Sequence, residues 1–256
     1  MKPNTVDILP KPFEWIMIPQ GQVILTHDDD VHPSNYLQHD TVFDVPTFEM
    51  VKYPITNAQY RAFVDAGGYL NNRYWIDEGK KQRDAHQWKQ PLYWDDSFWN
   101  GDDYPVVGIS WYEAVAYCLW LSDVTNEYIQ LPTEQQWQRA AQGNDEREYP
   151  WGNDFDPLKC NQSHEENRHQ TTPIQTYENK GDSPYGVVDM VGNVWEWCLT
   201  DYETGSHTIQ GAHLPIIRGG SWSTSGKFFL TTYHRKGVYP YNRDNDLGFR
   251  IVRIPK

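Results

Sequence analysis

The segment from Gly186 to Trp197 reads GVVDMVGNVWEW and sets two carboxylates around a glycine and beside two indoles. Gly192 has no Cβ, so the backbone there can turn a carbonyl inward. Calcium prefers a mixture of carboxylate and carbonyl oxygens. The side chains of Asp189 and Glu196, with the carbonyls of Gly192 and Val194, could supply such oxygens. The spacing also fits a tight turn with core indoles and capping carboxylates, so both interpretations stay open.

Aromatic residues dominate the composition. The chain has 12 tryptophans and 17 tyrosines among 256 residues, which is typical of a loop-rich fold with an aromatic core. A unit of this size buries roughly three quarters of its unfolded surface, so it needs no disulfide for stability. A mean hydropathy of -0.78 and the lack of a long apolar run predict no membrane span and no membrane partner.

The charge and the cysteines narrow the functional class. A formal net charge of -13 repels phosphate backbones, so we expect no nucleic-acid partner. The first 20 residues contain no apolar core of a secretory signal. The three cysteines are Cys118, Cys160 and Cys198, and a Cys160–Cys198 disulfide stays open on sequence alone. Reduced thiols in a cytoplasmic protein are the simpler interpretation.

The order of predicted elements indicates an α+β domain without a βαβ rhythm. Strands are expected at 13–25 and 42–50. A helix is expected over 57–66 behind the N-cap Thr56. Capping boxes predict two more helices, and their residue pairs are Ser110 with Glu113 and Thr133 with Gln136.

Two segments fall outside this pattern. Residues 1–12 are polar and are expected to form a loosely packed tail before a single domain at 13–256. Residues 69–104 form a tryptophan-rich insertion, which we call the insertion. A loop of this length is unusual unless it packs through its own side chains or lines a site.

Six further segments accompany the opening one in a fixed order. They are YPITNAQY (53–60), PVVGISWYEA (105–114), LPTEQQW (131–137), YPWGN (149–153), RGGSW (218–222) and LGFR (247–250). Together they make the chain resemble the formylglycine-generating enzyme family, also called the sulfatase-modifying-factor domain. The resemblance covers residues 13–254 and implies a C-type-lectin-like fold with short helices around irregular antiparallel sheets.

The resemblance also implies structural calcium as a cofactor. One ion would be held by Asp189, Gly192, Val194 and Glu196. A second would be held by side chains and carbonyls of Asn161, Gln162, Glu166 and Arg168, and the last two assignments could slip by one residue because the loop is short.

The chemistry of the family is harder to find in this chain. Its founding activity uses two cysteines five residues apart, which hold copper, and the matching positions here are Thr224 and Phe229. Thiolate is the soft ligand that selects Cu(I), so formylglycine generation is not expected. The ergothioneine branch of the family takes three histidine ligands for iron from a separate domain, which is not recognisable in this sequence.

The C-terminal segment 223–246, with Trp222, has the composition of an adaptable binding surface. We therefore predict a non-catalytic module that presents it to an unidentified protein or small molecule, and the variable proteins of diversity-generating retroelements use the same segment. The alternative is a metal-dependent oxidoreductase of the same superfamily that uses iron or copper, with or without a partner subunit. The candidate ligand-binding residues are Trp222, Thr224, Phe228, Tyr233, Arg235, Tyr239, Tyr241, Asn242, Arg243 and Asp244. The alternative is that half of the aromatic residues in this segment belong to the core and that Arg218, Arg235 and Arg250 form internal salt bridges, which we expect of Arg250 in particular.

Overall fold

Three capping boxes set the starts of the main helices. A computed structural model describes residues 5–26, 35–163, 169–211 and 214–255. In each box an N-cap hydroxyl accepts from the N3 backbone, and the N3 side chain accepts from the N-cap backbone. The predicted caps are confirmed. The helices are α1 (Thr5–Ile8), α2 (Asn57–Asp65), α3 (Asp77–Ala85), α4 (Trp111–Thr125) and α5 (Glu134–Gln142).

The strands form three small sheets within the described ranges, ordered β1-β4-β10-β5, β2-β3 and β8-β7-β6-β9. Each predicted strand region, 13–25 and 42–50, divides into two strands that pair antiparallel with other elements. The β6–β9 pair is parallel, which sets Trp195 opposite Leu247. The strands are β1 (Trp15–Ile18), β2 (Gly21–Leu25), β3 (Thr41–Val45), β4 (Phe48–Val51), β5 (Ile129–Gln130), β6 (Trp195–Asp201), β7 (Pro215–Arg218), β8 (Arg235–Gly237), β9 (Leu247–Gly248) and β10 (Val252–Arg253).

Aromatic plates fill the largest core, as the composition predicts. Tyr60 of α2 stacks on Tyr117 of α4 with ring centroids 5.3 Å apart, and Phe249 meets both rings edge-on. Stacked and edge-to-face pairs of this kind add about 0.5–1.5 kcal/mol each beyond their area burial. None of the helices in the described ranges combines the length and hydrophobicity of a bilayer-spanning segment.

Two regions differ from the sequence-based expectations. Residues 5–12 are docked rather than loose, because Leu9 is buried in the main core and the Gln59 amide donates to the carbonyls of Pro10 and Pro12. The insertion is not a bare loop, since it contains α3 and packs Tyr69, Trp75 and other aromatic rings into the same core.

Candidate functional site

Glu196 has two strong partners inside the protein. Its buried carboxylate accepts from the Nε and a terminal nitrogen of Arg250, both at 2.6 Å. The indole of Trp137 donates to one of the same oxygens at 2.7 Å. Arg250 also donates to the carbonyls of Val188 and Asp189, at 3.0 and 3.2 Å. A guanidinium therefore joins Glu196 to the Asp189 loop, where the calcium hypothesis assigned an ion.

Asp189 is buried without such a partner. One of its oxygens accepts from the Asn193 amide at 2.9 Å, and the other has no hydrogen-bond donor among the described residues. Burial raises the pKa of Asp189 to about 7, and the Asn193 hydrogen bond and the Arg250 charge oppose this rise. A carboxylate with one unsatisfied oxygen is a site where a hard cation would fit.

Asn161 lies on the other side of Asn193. Its carbonyl accepts from the Asn193 N–H at 2.9 Å, while its side-chain oxygen is buried and has no donor in the part of the chain that the structure describes. Gly192 approaches so closely that a Cβ there would lie 2.5 Å from the Asn161 carbonyl oxygen, and its φ is +80°. The Gly192 carbonyl accepts from Val194 N–H at 2.9 Å. Asp189 and Asn161 thus each keep one buried oxygen without a donor among the described residues, whereas the carboxylate of Glu196 is occupied by Arg250 and Trp137.

The second predicted calcium set is only partly visible. Asn161 and Gln162 are both buried. Glu166 and Arg168 lie outside the described residues, so their assignment stays a prediction.

The two positions that match the family's cysteines carry Thr224 and Phe229, which have different surroundings. Thr224 is buried, and its hydroxyl accepts from the Ser221 N–H at 2.9 Å. Phe229 is exposed, with its ring centroid 5.0 Å from that of His234. Neither residue supplies a thiolate, and the cysteines Cys118, Cys160 and Cys198 are all buried, with no disulfide between Cys160 and Cys198. These two positions do not fit a copper ion.

An open cavity of about 650 Å³, which we call the cleft, lies beside β6, β7 and β8. A second, more apolar cavity of about 400 Å³ shares four of its lining residues and continues towards Phe229 and His234. The cleft is lined by Trp195, Glu203, Leu214, Ile217, Lys236, Gly237, Val238, Tyr239, Asn242, Asp244, Asp246 and Leu247.

Three carboxylates line the cleft, those of Glu203, Asp244 and Asp246, together with the ammonium group of Lys236. Asp246 accepts from the hydroxyls of Ser221 and Ser223 at 2.8 and 2.7 Å. Burial and the Asp246 charge raise the pKa of Asp244, and Lys236 opposes the rise. Among the residues that the structure describes, no basic nitrogen lies within 4.0 Å of the Asp244 or the Asp246 carboxylate, and no group of three His, Cys, Asp or Glu residues is placed to hold a metal.

Several predicted recognition residues are accessible. Phe228, Tyr239 and Tyr241 are 54%, 58% and 46% exposed. The two tyrosine rings stack with centroids 5.5 Å apart and an interplanar angle of 4°. Tyr239, Asn242 and Asp244 line the cleft, while Trp222 donates its indole N–H to the Asn245 carbonyl and stands beside Trp99.

Other predicted recognition residues serve the interior. Arg235 donates two hydrogen bonds to Glu134, at 3.0 and 2.7 Å, and lies between the rings of Tyr36 and Tyr202. The Tyr233 carbonyl accepts from Arg218 at 3.1 Å. The predicted ligand residues Arg235 and Arg243 instead pair with the buried glutamates Glu134 and Glu113 respectively, and their side chains are 5% and 10% exposed. The predicted internal salt bridges of Arg218, Arg235 and Arg250 are confirmed.

The sequence reasoning missed part of the cleft. Lys236 neighbours the buried Arg235 on β8, and the alternation of a strand sends the two side chains to opposite faces. That alternation was readable from the sequence, although it does not say which side is outward. Trp195 and Asp246 carry no such local signal, because their exposure depends on how β6 and β9 pack.

Comparison with known proteins agrees with this architecture. The family model described as sulfatase-modifying factor enzyme 1-like domain matches residues 6–255. Uncharacterized protein YfmG of Bacillus subtilis (strain 168) is 30% identical over 244 residues, covering 82% of this chain and 47% of its own length. Hercynine oxygenase of Mycobacterium tuberculosis is 29% identical, covering 82% of this chain and 53% of its own length. The chain thus spans about half the length of these two curated relatives.

The name of a further relative describes it as inactive. The inactive C-alpha-formylglycine-generating enzyme 2 of Bos taurus is 28% identical, covering 81% of this chain and 77% of its own length. Among solved structures, PvdO from Pseudomonas aeruginosa has a TM-score of 0.68 at 21% identity, covering 94% of each chain. Treponema denticola variable protein 1 has a TM-score of 0.66 at 20% identity, covering 95% of each chain. These likenesses confirm the predicted α+β fold, and the chain belongs to the sulfatase-modifying factor enzyme 1-like domain family, that of the formylglycine-generating enzymes.

Proposed function

We propose that this domain is a non-catalytic binding module whose cleft receives a positively charged group of a protein or small-molecule ligand. The carrying observation is the pair Asp244 and Asp246, which lines a cavity of about 650 Å³ without a basic partner within 4.0 Å among the described residues. The rings of Trp195 and Tyr239 line the same cavity. Carboxylates beside aromatic rings favour ammonium and guanidinium groups.

The replaced cysteines support a role without the family's founding chemistry. Thr224 is committed to a backbone hydrogen bond, and Phe229 contributes an apolar ring to the adjoining cavity. A relative whose name describes it as inactive is consistent with loss of that chemistry in this family. The buried thiols of Cys118 and Cys198, which form no disulfide, support our inference that the protein resides in a reducing compartment, the cytoplasm.

The experiment compares charged and neutral ligands of the same shape. Choline and its neutral isostere 3,3-dimethylbutanol are titrated into ¹⁵N-labelled protein, and the indole N–H of Trp195 reports binding. We expect choline to shift this resonance and the neutral compound to do so at least about tenfold more weakly, equivalent to about 1.4 kcal/mol. Lysine and arginine amides extend the series to peptide-like cations.

Matched variants locate the binding. Asp244→Asn and Asp246→Asn should each weaken choline binding, since each removes one charge from the cleft. Asp145→Asn changes the charge equally but far from the cleft, where Asp145 pairs with Arg147, and it should leave affinity unchanged. Equal binding of choline and its isostere, or equal loss in all three variants, would overturn the proposed function.

The competing function is a metal-dependent oxidoreductase, which the similarity to proteins named hercynine oxygenase favours. Elemental analysis of protein purified without added metal separates the two. Stoichiometric iron or copper, lost when residues around Thr224 are changed, would support the oxidoreductase and overturn the binding module.

We also propose that calcium binds at Asp189 and Asn161. The support is one buried oxygen on each side chain without a donor among the described residues, and both side chains are hydrogen-bonded to Asn193 through their other polar atom. The carbonyls of Gly192 and Val194 remain candidate ligands. Calcium here would hold the loop that leads into β6, and therefore the position of Trp195 in the cleft.

A further inference from the structure

Arg243 lies inside the segment predicted to bind a ligand, yet its side chain runs into the protein. Its neighbours Asn242 and Asp244 line the cleft, and Arg243 does not. The side chain of Arg243 is 10% exposed and that of its partner Glu113 is fully buried. An arginine between two cleft residues therefore has a task other than contacting the ligand.

The guanidinium reaches three separate parts of the chain. Its Nε donates to the Gly108 carbonyl at 3.1 Å. A terminal nitrogen donates to the Gln90 carbonyl at 2.5 Å and to Glu113 at 3.0 Å. Its central carbon stands 4.8 Å from the ring centre of Trp88. Two of these partners, Gln90 and Trp88, belong to the insertion.

Glu113 is a fixed anchor for this contact. It accepts from the backbone and hydroxyl of Ser110, both at 2.8 Å, and from the Tyr69 hydroxyl at 2.5 Å. Burial raises the pKa of Glu113, and the Arg243 charge opposes the rise. The capping box of α4 fixes the position of the Glu113 carboxylate. The loop that carries Arg243 must therefore place the guanidinium beside it.

Gly108 joins the same two segments through its backbone. Its N–H donates to the Asp244 carbonyl at 3.0 Å, and its carbonyl accepts from the Leu92 N–H at 2.9 Å. A Cβ on Gly108 would lie 2.6 Å from the Tyr93 ring, so glycine allows the insertion to approach. Three residues further along the chain, the Trp111 N–H donates to the Pro240 carbonyl at 3.0 Å.

We propose that Arg243 is a positioning residue that fastens the cleft loop (residues 239–246) to the insertion, so that the two segments are ordered as one unit. Asn242 and Asp244 are held in the cleft by this contact. The consequence for ligand affinity rests on the proposed function, whereas the coupling between the two segments does not.

Amide hydrogen exchange tests the coupling directly. The reporters are the N–H groups of Leu92, Gly108 and Trp111, and the reference is Leu199, whose N–H donates to Pro132 at 2.7 Å in another region. In Arg243→Met we expect exchange at the reporters to be about tenfold faster or more, with Leu199 within about twofold of wild type. Arg243→Lys should fall between, because lysine keeps the charge but lacks the planar fork.

Arg61 provides a matched control. It also lies over a tryptophan of the insertion, 5.0 Å from the Trp94 ring centre, and pairs with Asp102 at 2.8 Å, but it is 44% exposed. Arg61→Met should leave the reporters within about twofold of wild type. Unchanged reporters in Arg243→Met, or equal acceleration in Arg61→Met, would overturn the proposal.

A second variant covers the case in which Arg243→Met does not fold. Trp88→Leu removes the ring under the guanidinium and should accelerate Leu92 and Gly108 while Leu199 stays unchanged. A local fastening is dispensable for the global fold, so failure of both Trp88→Leu and Arg243→Lys to fold would contradict the proposal.

The binding measurement separates positioning from simple stabilisation. Choline affinity should fall about tenfold in Arg243→Met and recover partly in Arg243→Lys. Accelerated exchange with wild-type choline affinity would overturn the positioning role. If wild-type protein does not bind choline, the proposed function fails, and the exchange result still decides the coupling.

Discussion

The buried glutamates of the core and the aspartates of the cleft differ in whether they form ion pairs. Glu113, Glu134 and Glu196 are buried, and each lies against an arginine. Asp244 and Asp246 line an open cavity and have no arginine or lysine within 4.0 Å in the described part of the chain. Burial of an unpaired charge is costly, so the fold neutralises the charges that it encloses. In the described part of the chain, Asp244 and Asp246 do not receive this compensation.

Removing one partner of a buried ion pair should have the largest effect on the free energy of unfolding. Glu196→Ala leaves the Arg250 guanidinium buried without its carboxylate and should cost about 3–5 kcal/mol of unfolding free energy. Urea denaturation measures this. The surface pair Arg61–Asp102 is the control, and Asp102→Ala should cost less than about 1 kcal/mol. Similar losses in the two variants would contradict the contrast between buried and exposed pairs.

Asp189 is a buried carboxylate that departs from this pairing with arginine, and its pKa of about 7 predicts a pH dependence of stability. Between about pH 4 and pH 7 the native state keeps this proton while the unfolded state has lost it. The native state therefore binds more protons, and in metal-free protein stability should fall as pH rises through this window. At about 1.4 kcal/mol per pKa unit the fall is at most about 4 kcal/mol. Asp189→Asn should remove this part of the slope, and identical profiles for the two proteins would contradict the prediction.

Calcium should compensate the buried Asp189 carboxylate, as arginine compensates the buried glutamates, and so stabilise the native state. At about a hundredfold excess over its Kd, an ion that binds only the native state adds about 2.7 kcal/mol. Thermal unfolding with calcium and with chelator measures the difference, and Asp189→Asn should abolish it. Magnesium, which prefers strict octahedral geometry, is the control and should stabilise less. Equal melting temperatures with calcium and with chelator would refute the site.

The cleft should show the smallest effect on stability. Asp244→Asn removes a charge that has no ion-pair partner in the described structure, so unfolding free energy should change by no more than about 0.5 kcal/mol. The same urea measurement checks it. A loss comparable with that of Glu196→Ala would mean that Asp244 belongs to the folded framework and not to a binding surface.

The sequence determined the framework of this protein because that information is local. The hydroxyl and its acid or amide three residues later fix the starts of α2, α4 and α5, and each capping box is where the spacing predicts it. Seven ordered motifs were enough to recognise the family. The internal pairing of Arg250 was also expected from the sequence, and its partner is Glu196.

Tertiary structure decided which charges are enclosed. Arg235 and Lys236 are adjacent basic residues, and only the packing of β8 against β7 makes one a core ion pair and leaves the other exposed in the cleft. Glu196 and Asp189 likewise look equivalent in sequence, but Arg250 arrives from 54 residues away to bind the first. Pairing of this kind depends on contacts between distant segments, which no local pattern encodes.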